Sequence, residues 1–186
     1  MFHSSPKKPV SKRTWAIQIL TRDYLVDGHL QSRLDHDYEE DYFTDLLRLL
    51  KQGTEHNHYP LALINAGVRP ASNLAAPART YAEWSISLGP NVIAFIPGDD
   101  DSLGTLRKQF DNFKHPFPAT LFAGCYQVQA TLLADSILGW SELQSFLPLV
   151  EAQIDCLLPG AQLTRWQVPW LLLNGQMVQG DGRQPP

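Results

Sequence analysis

Two stretches of this chain run through the same four segments in the same order. The first reads YLVDGHLQ, FTDLLRLL, ALINAGVRP and PNVIAFIPG; the second reads YQVQATLL, WSELQSFL, PLVEAQIDC and QVPWLLLNG. A repeat of this length constrains the fold more than any single residue does, because each copy builds the same unit and the units must then pack. Aligned by position, Tyr24 falls on Tyr126 (126 − 24 = 102) and Leu46 on Leu143 (143 − 46 = 97). Ala66 falls on Ala152 (152 − 66 = 86) and Ala94 on Leu171 (171 − 94 = 77). The offsets only shrink, so the second copy has the shorter loops, and loops are where packed units diverge. What recurs is almost entirely apolar. The repeat preserves a core and not a reactive site.

The 186 residues suffice for one substantial core or two small ones. Trp15, Ile17 and Ile19 alternate with smaller or polar residues and the run resumes at Tyr24, which predicts one long strand or two joined near Thr21-Arg22-Asp23. Acidic residues followed by Leu46, Leu47, Leu49 and Leu50, then Lys51 and Gly53, predict a helix over 38–51. Leu143 and Phe146 suggest a matching helix in the second copy, stopped by Pro148. Residues 60–68 read as a buried strand, and Gly89-Pro90 makes a hairpin of the runs 82–88 and 91–96. Leu103, Leu106, Phe110 and Phe113 share one helical face.

The expected fold class is α+β. Two tandem, related β-rich modules, each strand-helix-strand-strand, form a pseudo-symmetric pair sharing a sheet or two small open barrels. A disordered basic arm covers 1–13 and the first module 14–101. A linker with a short bridging helix covers 102–118, the second module 119–178 and a frayed tail 179–186. The second copy is also similar to small bacterial domains of no settled activity. These place a helix ending in a "DFLN"-like turn before a strand with an alanine and a strand ending in "LN". The matching residues are Leu143, Phe146, Leu147, Ala152, Ile154, Leu173 and Asn174, about a third of the chain; the first copy has Pro97 where Asn174 stands. The resemblance implies a fold and no mechanism.

The chemistry-bearing residues are sparse. His56 and His58 stand two apart and suit a metal if an acid such as Asp41 joins them, with His36, Asp37, Glu39 and Glu40 as further candidates. A solvated loop between the helix and the next strand, where polar residues are expected, is the favoured reading of them. Gly98-Asp99-Asp100-Asp101 lacks the spacing of a calcium loop and reads as a turn. No nucleotide-binding glycine motif or nucleophile elbow occurs. Cys125 and Cys156 fit buried, reduced thiols. The net charge of −4 argues against nucleic acid as a partner. No apolar run reaches the roughly 20 residues of a membrane span.

A cytoplasmic scaffold, adaptor or assembly protein is the function these features favour. It would be non-enzymatic and without cofactor, binding a protein partner or itself through the duplicated modules. Trp84, Trp140, Trp166 and Trp170 are the candidate contact residues, since aromatic side chains dominate interfaces as well as cores. The competing readings are a metal-dependent hydrolase using His56, His58 and Asp41, and a binder of single strands through surface tryptophans.

Overall fold

The computed structural model describes residues 14–31, 61–87, 91–98, 115–134, 146–162 and 165–182. Ten strands run in chain order: β1 Thr14–Thr21, β2 Tyr24–Gln31, β3 Leu61–Pro70, β4 Arg79–Ile86, β5 Val92–Pro97, β6 His115–Ala123, β7 Tyr126–Ala134, β8 Phe146–Cys156, β9 Arg165–Asn174 and β10 Val178–Gly182. They form one antiparallel sheet in the order β10-β6-β7-β8-β9-β5-β1-β2-β3-β4.

The expected α+β class is therefore wrong, and the chain is all-β among its described residues. The one helical element there is a 3-10 turn at Gly175–Met177. Phe146, Leu147 and Pro148 open β8 instead of closing a helix. The misreading has a physical cause. Phe146 packs in one core, while Leu147 and Leu149 pack in another on the opposite face. A strand buried on both faces shows apolar residues at i and i+3 just as a helix does. The helices predicted over 38–51 and 103–113 lie outside the described residues. β6 begins inside the stretch assigned to the linker, and β10 occupies part of the predicted tail.

The predicted hairpin of residues 82–88 and 91–96 is also absent, because β4 and β5 lie at opposite ends of the first module. Val92 through Ile96 are all buried, so β5 requires cover on both faces, whereas Arg79 through Glu83 are exposed. β5 sits between β1 and β9; β4 forms the outer edge.

The duplication is written in the strand order. The second half reads β10-β6-β7-β8-β9 and the first half β5-β1-β2-β3-β4, the same arrangement shifted by five strands. The modules join where β9, fourth of its module, pairs with β5, fifth of the other. Offsets of 102 and 86 hold as the sequence repeat has them. β1 and β2 match β6 and β7 at 102, since the two-residue turns Arg22-Asp23 and Gly124-Cys125 coincide. β3 matches β8 at 86. The fourth segment needs correction. Ala66 pairs with Tyr81 and Ala152 with Val168, so β4 matches β9 at 168 − 81 = 87. Thr21 pairs with Val92 and Ala123 with Val178, so β5 matches β10 at 178 − 92 = 86. β5 and β9 look alike in sequence because they are neighbours sharing one buried environment.

Even the irregularities repeat. Between β2 and β3 the register slips so that Gly28 faces two residues, Asn65 and Ala66; between β7 and β8, Ala130 faces Glu151 and Ala152. Asn65 and Glu151 each take the left-handed conformation at φ 52. An extra residue reverses which face the following side chains occupy. This lets Leu61 and Leu63, then Ala66 and Val68, all reach one core. In β8 the same device turns Leu149, then Ala152 and Ile154, to the other. A left-handed non-glycine residue costs about 1–2 kcal/mol, offset in part by the entropy a glycine would lose. Glu151→Gly is expected to raise stability by roughly 0.5–1 kcal/mol. Glu151→Val should lower it, because a branched β-carbon disfavours positive φ. Urea unfolding of the three proteins gives the order.

The two cores lie on opposite faces of the junction strands. Trp170 and Leu172 of β9 enter the first core with Phe95, and Leu171 and Leu173 enter the second with Ala94 and Ile96. Successive strand residues point to opposite faces, so each junction strand serves both modules.

Candidate interaction surface

Equivalent residues of the two modules meet different fates, and the difference marks a surface. Tyr126 is fully buried, and its hydroxyl donates to the Thr21 carbonyl of the first module at 3.1 Å. Burial, and then the neighbouring Cys125 and Cys156 thiols, push its phenol well above the ordinary range. Its counterpart Tyr24 is 48% exposed. The main chain around Tyr24 is well fixed: Thr21 Oγ1 donates to the Tyr24 carbonyl and accepts from the Tyr24 amide, each at 2.9 Å.

β4 repeats the contrast. Tyr81 is 38% exposed and Trp84 half-buried, their rings 4.8 Å apart and tilted by 57°. By the offset of 87 their counterparts are Val168 and Leu171, both buried in the second core. Tyr81 pairs across the strands with Ala66 and Trp84 with Leu63, both residues of the first core, so the two aromatics stand on the core-facing side of β4. Leu20, Leu25, Ala71 and Ile93 of the first module cover the second core. Tyr24, Tyr81 and Trp84 thus form a rim on the first module whose equivalent in the second is covered.

The two ends of the sheet are not alike. β4 contains no proline and exposes Arg79 through Glu83. At the other end, β10 pairs with β6 only over Thr120–Ala123. Beyond it β6 exposes Pro116 and Pro118, residues that cannot donate to an added strand.

Of the tryptophans named from sequence, Trp84 belongs to this rim. Trp166 is half-buried, edge-on to Tyr126 at 6.2 Å, and Trp170 is a core residue. Trp140, His56, His58 and Asp41 lie outside the described residues. Among the described residues, no three His, Cys, Asp or Glu side chains are grouped to hold a metal ion, and no helix is long and apolar enough to cross a membrane. Cys125 and Cys156 are free thiols. Burial, then the nearby Cys156, raise the Cys125 thiol above its usual range, which disfavours the nucleophilic thiolate. Tyr24 and Tyr81 were not singled out by sequence reasoning. For Tyr24 a signal existed, since its alignment with Tyr126 marks a conserved aromatic position; for Tyr81 none did.

Compared with protein-family models, curated proteins and solved structures, the chain matches none. The similarity of its second half to small bacterial domains gains no support there.

Proposed function

We propose that the chain is a non-enzymatic assembly or adaptor protein of the cytoplasm that binds a protein partner at the rim of the first module. The observation that carries this reading is the exposure of Tyr24 and Tyr81, with the half-buried Trp84 against Tyr81, at positions whose counterparts are buried. Large aromatic side chains bring much apolar area to a contact, and β4 adds a strand edge beside them that no described strand pairs with. A partner segment can extend the sheet there by main-chain hydrogen bonds while its side chains settle on the aromatics.

A photo-activatable cross-linking residue placed at Ala82 of β4, and at the exposed Gln167 of β9 as a control, tests the site in living cells. Adducts are expected from position 82 and not from position 167. Equal labelling at both, or none at either, removes the reading.

A further inference from the structure

We infer that the partner at this rim is a second copy of the same chain, seated as the first module is seated on the second. This rests on the reading of the rim as a docking site. Within one chain, the first module covers the second with Leu20, Leu25, Ala71 and Ile93. Their counterparts on the second module are Phe122, Gln127, Leu157 and Gln179, so two covering positions stay apolar, two become glutamine, and Ala71 corresponds to Leu157. The equivalence is visible in the backbone. The Ala71 amide donates to the Asp23 carbonyl at 2.9 Å, and the Leu157 amide to the Cys125 carbonyl at 2.8 Å. Yet Ala71 is buried and Leu157 is 53% exposed.

Among the described residues the exposed large apolar side chains are Tyr24, Tyr81, Phe117 and Leu157. Three of these four fall at junction positions: Tyr24 and Tyr81 on the side that receives cover, Leu157 on the side that gives it. Among the described residues, each chain therefore carries an unfilled socket on its first module and an unused cover on its second. Repeating the internal junction between chains fills both. The same operation sets β10 of one copy beside β4 of the next, as β5 lies beside β9.

The contact is heterologous, with different surfaces meeting, so it propagates into a ring or an open filament. It is also weaker than the internal junction. The seam pair Phe95 and Leu172 maps to Asp181 and Ser85, so apolar side chains give way to polar ones and main-chain pairing remains. Association is reversible and follows concentration.

Sedimentation of the full chain tests this with two lysine variants at exposed positions, Tyr81→Lys on the socket and Leu157→Lys on the cover. The wild-type sedimentation coefficient is expected to rise with concentration. Each variant alone should stay monomeric with an unchanged circular dichroism spectrum. Their equimolar mixture should form a dimer and nothing larger, because one intact socket meets one intact cover. A wild type that is monomeric at every concentration overturns the inference, as does a mixture that stays monomeric, or a Leu157→Lys variant that associates like the wild type. If the purified chain is monomeric while position 82 still cross-links to a different protein, the self-association fails and the docking site stands. If nothing cross-links there, both fail.

Discussion

Truncating Phe95 to alanine is expected to cost about 3–5 kcal/mol, the range for deleting a buried aromatic ring. Phe95 is 1% exposed and lies on the junction strand β5 between Ile19 of β1 and Leu172 of β9. Its ring meets Phe146 of β8 edge-on, with centroids 5.3 Å apart. The lost ring would leave a void lined by both modules, and large side chains on both flanking strands hold it open. Against a total stability of about 5–15 kcal/mol, such a loss removes a large share of what holds the chain folded. Urea unfolding should show a lower midpoint with an unchanged slope, and the transition should remain single. Tyr81→Ala on the exposed rim provides the comparison, with a change of roughly 0.5 kcal/mol or less. A Phe95→Ala protein within about 1 kcal/mol of the wild type would contradict the placement of β5 between two cores.

The second large effect is alkaline destabilisation through Tyr126. An exposed phenol ionises near pH 10, and in the unfolded chain Tyr126 does so; in the folded chain burial raises its pKa above that. Above pH 10 the folded state therefore holds more protons than the unfolded state. Stability is fully present below that pH and falls as pH rises, by up to about 1.4 kcal/mol per pH unit from this group. The Cys125 thiol, raised from its ordinary value of 9.0 first by burial and then by Cys156, adds a loss of the same sign from a lower pH. In Tyr126→Phe the hydrogen bond to the Thr21 carbonyl is gone, so the variant should be less stable at pH 7 by about 0.5–1.5 kcal/mol. Its decline above pH 10 should be shallower, and the two stability curves should converge. Parallel curves would mean that Tyr126 ionises as freely in the folded chain as in the unfolded one.

The repeat was legible in the sequence because its buried positions keep their spacing. Tyr24 against Tyr126 and Ala66 against Ala152 locate three of the five strand equivalences. The bulge was legible too, in principle: Leu61 and Leu63 followed by Ala66 and Val68 is an alternation that skips one residue. The strand order was not. β4 and β5 are adjacent in the chain and flank a Gly-Pro turn signal, and only the continuous burial of Val92 through Ile96 requires β5 to move to the centre. The rim was hidden for a different reason. Tyr24 and Tyr126 are the same residue at the same position, and one is exposed because, among the described residues, no strand pairs beyond the first module's outer edge. Exposure of that kind belongs to the arrangement of modules and leaves no trace in local composition.

The junction strands also set an order of events during synthesis. β5 pairs with β9 through Phe95 and Leu172, which are 172 − 95 = 77 residues apart in the chain. At about 5–20 residues per second, β5 leaves the ribosome some seconds before its partner exists. For that interval one edge of β5 has no strand to pair with, and Ile93, Ala94 and Ile96 lack the second-module residues of their core. The first half of the chain cannot finish folding while the second is being made, and the last strands to emerge close the cores of both.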